Sequence, residues 1–160
     1  MTNNGTPIFA ASAARVMLAA QSLARELGGE LIGTEHLMLA MAGVNDGPTE
    51  FLLAETGVTY DAFREKVEQY FSRARKHADL TAFSPRAKKI IQRARFLADD
   101  ASVEHHHMLE AFIAEPECPG RMVLSHLGVD SNRFEQAVLS AIGHEKLVQD
   151  FVASLNSPDQ

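Results

Sequence analysis

The sequence predicts an all-α protein: two pseudo-symmetric four-helix repeats followed by a C-terminal amphipathic helix. Three observations predict it. The chain repeats itself internally, its apolar residues recur at helical spacing with no alternating strand pattern, and its composition favours Ala, Leu and Met over β-branched residues. Small and unbranched side chains lose little rotamer freedom in a helix. The 160 residues, 46% hydrophobic and 22% charged, suffice for one domain with a real core.

Four separated blocks carry the repeat. Phe9-Ala-Ala-Ser-Ala-Ala-Arg15 recurs loosely as Phe83-Ser-Pro-Arg-Ala-Lys-Lys89, an offset of 74. Glu35-His36-Leu37-Met38 matches His106-His107-Met108-Leu109, Leu53 to Val58 matches Leu124 to Val129, and Phe63 to Val67 matches Phe134 to Val138, all at an offset of 71. The second copy is therefore three residues shorter between its first and second helices. The domain spans residues 1–143, with repeat one at about 9–72, a linker at 73–82, repeat two at about 83–143, and a tail at 144–160.

Val16, Ala19, Ala20, Leu23 and Leu27 form one stripe, and Gly28-Gly29 supplies a stop. Thr34 reads as an N-cap, with Glu35 in the first turn where the helix dipole favours an anion. The apolar stretch Leu37 to Met41 ends at the turn Asn45-Asp46-Gly47-Pro48. A short third helix carries Phe51, Leu52 and Leu53 and stops at Gly57; Thr59 or Asp61 caps a fourth bearing Phe63, Val67, Tyr70 and Phe71. In copy two Ser84 is the cap and Pro85 the first helical residue, where a missing N–H costs nothing. His105 to Ala114, Pro119 to Leu127 and Ser131 to Ile142 are its remaining helices. In the tail, Leu147, Val148, Phe151, Val152 and Leu155 predict a ninth helix, packed on the domain's own surface or docking a partner or a second copy as a homodimer.

Composition excludes several functions. A net charge of −6 argues against a nucleic-acid binder. The single Cys118 leaves no internal disulfide and fits a reducing compartment, and neither a signal core nor an apolar membrane run occurs, so the expected location is cytoplasmic. No phosphate-loop motif and no cofactor motif is present. Consecutive helical residues point about 100° apart, so His105-His106-His107 cannot converge on one metal ion. His36 and His107 hold matching positions, which predicts a structural role beneath each second helix. Cys118 lacks an evident base, and Glu115 with Glu117 reads as a loop pair, so no catalytic residue is assigned.

Leu27-Gly-Gly-Glu-Leu-Ile-Gly-Thr-Glu-His-Leu-Met-Leu-Ala-Met41 resembles the LGHxxIGTEHLLLAL segment of the Clp N-terminal repeat. Phe83-Ser-Pro-Arg-Ala-Lys-Lys-Ile-Ile91 resembles the YTPRAKKVI that opens that family's second repeat, and Leu127-Gly-Val129 closes the match. The resemblance covers roughly Ile8 to Gly143, and it implies a ClpC-like N domain of the Clp-family AAA+ unfoldases, here without ATPase modules. Such a domain is a non-enzymatic module that binds substrates, adaptors or a Clp ATPase, in regulated proteolysis or protein quality control. The alternatives are an N-terminal fragment of a full Clp ATPase, disaggregase or protease subunit, and a stand-alone decoy for cyclic peptide antibiotics.

Two sites follow from the resemblance. The glutamate of each Gly-Thr-Glu-His implies a receptor for phosphoarginine, helped by a hydroxyl at the start of each repeat's first helix. A carboxylate suits the planar guanidinium fork. Copy one keeps Glu35 but has Ala10 at the hydroxyl position; copy two keeps Ser84 but has His106 in place of the glutamate. Two intact pockets are therefore not expected, and Glu35 reads equally as a plain first-turn residue. Phe83 and Lys88 match a surface that binds cyclic peptides, with Met17, Ile91 and Gln92 as neighbours by helical spacing. The competing reading makes Phe83 a hydrophobic staple or core residue.

Overall fold

Helices form where the apolar stripes predict them. The computed structural model describes residues 2–3, 6–44, 47–71 and 82–156. Helix α1 (Ala11–Glu26) buries Ala13, Val16, Ala20, Leu23 and Ala24. It ends where Gly28 takes a φ of 74°, which lets the Gly29 N–H reach back to the Ala24 carbonyl at 2.8 Å. Helix α2 (Thr34–Val44) is buried from Thr34 through Ala42. Helices α3 (Gly47–Thr56) and α4 (Tyr60–Phe71) complete repeat one. Thr59, rather than Asp61, caps α4: its hydroxyl accepts the Ala62 N–H at 3.1 Å. Repeat two supplies α5 (Pro85–Ala98), α6 (His105–Phe112), α7 (Pro119–His126) and α8 (Ser131–Leu155).

The repeats interlock. Helix α1 packs on α2 and α5 on α6, but each third helix crosses to the other repeat: α3 lies on α8, and α7 lies on α2 and α4. The segments entering α1 and α5 cross as well. Phe9 pairs in parallel with Val103, and Phe83 with Ile32. The Ala10 N–H donates to Val103 O at 2.8 Å and the Ser84 N–H to Ile32 O at 2.9 Å. With the two-residue strands β1 (Thr2–Asn3) and β2 (Thr6–Pro7), these bridges are the strand pairings among the described residues. A third reciprocal pair is polar: the Gly120 N–H donates to Thr34 Oγ1 at 2.9 Å, and the Thr49 hydroxyl meets His105 Nε2. One apolar core runs through both repeats.

Three expectations change. Thr34 is not an N-cap; its hydroxyl is occupied by Gly120 across the repeat interface. His36 ties down that turn instead, its Nδ1 accepting the Gly33 N–H at 2.9 Å. The tail is helical but is no ninth element. Gly143 keeps a negative φ, so nothing interrupts α8, and His144 stacks on Phe51 with ring centroids 4.8 Å apart, carrying the α3–α8 packing past the repeat boundary. Beyond that stack the stripe does not lie on the domain: Leu147, Phe151 and Leu155 are 71%, 64% and 69% exposed. The expected linker, apart from Ala82, and the Asn45-Asp46 turn lie outside the described residues.

Candidate functional site

Because the segments entering α1 and α5 cross, Glu35 of repeat one faces repeat two rather than its own first helix. An open cleft of about 190 Å³ is lined by Gly33, Glu35 and Phe71 from repeat one and by Ser84 and Pro119 from repeat two. Glu35 is 8% exposed, and its carboxylate lies over Gly33 so closely that a Cβ there would collide with both oxygens. Glu35 Oε1 comes within 3.6 Å of His36 Nδ1, yet this is no ion pair. That nitrogen already accepts from Gly33, and burial lowers the imidazole pKa to about 4, so His36 is neutral. Ser84 Oγ accepts the Ala87 N–H at 3.1 Å and caps α5, which turns the positive end of that helix toward the cleft. The cleft thus offers a carboxylate to a planar cation and a helix N-terminus to an anion.

The matching region of repeat two is built differently. His106 lines a cleft of about 340 Å³ with Ile142 and the α8 side chains Glu145, Lys146 and Asp150. Its Nε2 lies 3.3 Å from Glu104 Oε2, Glu104 stands where repeat one has Gly33, and Ala10 makes no side-chain cap. The three consecutive histidines diverge. His105 turns to Thr49, His106 to the Glu104 carboxylate, and His107 Nδ1 accepts the Glu104 N–H at 2.9 Å, the counterpart of the His36 contact. Among the described residues no three His, Cys, Asp or Glu side chains converge as metal ligands would.

Of the apolar set, Phe83, Met17 and Ile91 are half-buried, with Phe83 and Met17 packed against the core, while Lys88 and Gln92 are exposed. Gln92 lines two surface clefts, neither of which includes the other four. Cys118 is fully buried at the start of α7, and burial pushes its thiol pKa up, away from a reactive thiolate. Among the described residues, no helix is long and apolar enough to cross a membrane. Sequence reading missed Gly33, Phe71 and Pro119 as cleft residues. The glycine directly before Thr34-Glu35-His36 was the one available signal.

Interlocked helical repeats with an open cleft at their junction define an all-helical double-repeat domain. The chain belongs to the Clp repeat (R) N-terminal domain family, whose profile matches residues 8–105. It is 32% identical over 139 residues to the negative regulator of genetic competence ClpC/MecB of Bacillus subtilis, covering 84% of this chain and 17% of that protein. It is 33% identical over 140 residues to a ClpA homolog, an ATP-dependent Clp protease ATP-binding subunit, of Cyanidium caldarium, covering 84% of this chain and 16% of that one. The chain thus spans about a sixth of the length of these curated relatives. The N-terminal domain of ClpD from Arabidopsis thaliana superposes with a TM-score of 0.69 at 25% identity, over 84% of this chain and 97% of that one. The N-domain of ClpV from Vibrio cholerae shares the fold, with a TM-score of 0.64 at 15% identity over 85% of this chain and 86% of that one.

Proposed function

We propose that this chain is a cytosolic protein- and peptide-recognition module of a Clp system, receiving substrates or adaptors for regulated proteolysis or quality control. One observation carries the reading: the crossing of the repeats unites Glu35 with Ser84 in a single cleft, a pairing that neither repeat contains by itself. The ligand chemistry that fits is a phosphorylated guanidinium. Its planar fork would meet the Glu35 carboxylate and its phosphate the N-terminus of α5. The His106 half has an imidazole in place of the carboxylate and Ala10 in place of the Ser84 hydroxyl, so it takes no such ligand. Calorimetric titration of phosphoarginine into wild type, Glu35→Ala, Ser84→Ala and His106→Ala tests this. The expected result is one site, weakened about tenfold or more by Glu35→Ala and unchanged by His106→Ala. Two equivalent sites, or none, would refute it.

Phe83, half-buried just before α5, the helix that exposes Lys88 and Gln92, supports a second reading, in which apolar or cyclic peptides bind there more tightly than phosphoarginine does. Phe83→Ala should then cost about 2 kcal/mol of peptide affinity. The exposed α8 stripe supports self-association through the tail, which equilibrium sedimentation would detect as a doubled mass.

A further inference from the structure

Helix α5 has a charge pattern unlike the rest of the chain. It carries Arg86, Lys88, Lys89, Arg93 and Arg95, all exposed, and no acidic residue. The whole chain has 15 Lys and Arg against 21 Asp and Glu, so the remainder holds only ten cations against all 21 acids. Among the described residues, Lys88, Lys89, Arg93 and Arg95 enter no ion pair. Lys89 and Arg93 are four residues apart on one face, a like-charge spacing that weakens a helix. The arrangement therefore adds nothing to the stability of α5.

At the C-terminal end of this face stands Phe96, 80% exposed. A lone exposed apolar residue means little, but Phe96, together with Gln92, lines two clefts. One, of about 250 Å³, also includes Arg95 and Asp99; the other, of about 580 Å³, includes Lys89, Arg93 and Glu115. The first repeat serves as a control. At an offset of 74, its α1 places Arg15, Ala19, Gln21 and Ser22 where α5 has Lys89, Arg93, Arg95 and Phe96. The fold is thus built once without this face.

We propose that the outward face of α5 docks an acidic segment of a partner protein that carries one apolar side chain. The apolar group packs against Phe96, and the carboxylates meet Lys89, Arg93 and Arg95, an aromatic-and-arginine grouping of the kind that dominates interface energetics. Asp99 and Glu115 in the same clefts, and a net charge of −6, oppose a long uniform polyanion more than a short segment with a few carboxylates and an apolar side chain, which favours a peptide over a nucleic acid. The inference rests on reading the chain as a recognition module, but it uses none of the residues of the Glu35 cleft.

The test is fluorescence anisotropy with the full chain and a short labelled peptide of glutamates around a central leucine. Comparison probes are the glutamine-for-glutamate peptide and a single-stranded oligodeoxynucleotide of equal charge. The expected result is binding that weakens with added salt and falls about tenfold or more with Phe96→Ala, with the paired Lys89→Glu and Arg93→Glu change, or with either comparison probe. Glu35→Ala should leave it unchanged. Absence of binding, losses smaller than these, equal binding of the oligonucleotide, or dependence on Glu35 each overturn the proposal. Loss of phosphoarginine binding alone leaves it standing and removes only the reading of the Glu35 cleft.

Discussion

The Glu35 half and the His106 half share a plan and differ in what they present. Both loops ahead of the second helix are closed by a histidine, His36 or His107, whose Nδ1 accepts the N–H three residues earlier. Both are crossed by the entering segment of the other repeat, and both send residue 34 or 105 across to the opposite third helix. What is kept twice is what the fold requires. Only the first half combines a glycine at 33, a carboxylate at 35 and an incoming hydroxyl at 84; the second has Glu104, His106 and Ala10. Features present once are free of the folding constraint, so recognition is to be sought among them.

The largest test of this comparison separates the halves. Residues 1–76 alone should show no cooperative thermal transition by circular dichroism, because α3 loses α8 and α2 loses α7. A sharp melt would mean that the halves are independent. Next come two matched positions in the third helices, Arg121 and Glu50. Arg121 is 4% exposed; it donates to Phe112 O at 2.9 Å and to Glu135 Oε1 at 3.2 Å, and stacks over the Phe134 ring, whereas Glu50 is exposed. Arg121→Ala should cost about 4 kcal/mol in urea unfolding, and Glu50→Ala should stay within about 0.5 kcal/mol.

The closing histidines give a pH signature. Burial holds the His36 pKa at about 4, against 6.5 in the unfolded chain. Above pH 6.5 both states are neutral and the group contributes nothing. As pH falls from 6.5 toward 4, only the unfolded chain gains the proton, so stability drops, by up to about 3 kcal/mol. His107 is shifted in the same direction, by burial and then by its neighbour His106. His36→Asn, which keeps an acceptor for the Gly33 N–H, should flatten the pH dependence of the urea midpoint more than His107→Asn does. A small stability effect is expected from Gly33→Ala. A methyl there displaces only the end of the Glu35 side chain, so unfolding should change by less than about 1 kcal/mol while phosphoarginine binding is lost.

Much of the fold was legible because helix ends carry local signals: Gly28 and Gly57 at positive φ, Pro85 after its Ser84 cap, and the stripe through Val16 and Leu23. The crossing of the repeats was not legible. An offset shows which residues correspond, but not which halves touch. For that reason Glu35 with Ala10 and Ser84 with His106 read as two damaged pockets, whereas space pairs Glu35 with Ser84. Thr34 looked like a cap because its alternative partner, Gly120, lies 86 residues away. The continuity of α8 through Gly143 is accompanied by the Phe51–His144 stack, a tertiary contact that no local pattern records.

The packing of α3 on α8 also orders events at the ribosome. It joins residues 47–56 to residues 131–155, so the first repeat has no lasting partner for its third helix until the last helix of the second repeat has been made. A contact of such long range is slow to close, and until it does the nascent chain holds α2 and α3 half-covered. The pace of synthesis, more than the intrinsic helicity of any segment, then sets how long that sticky surface stays open to aggregation.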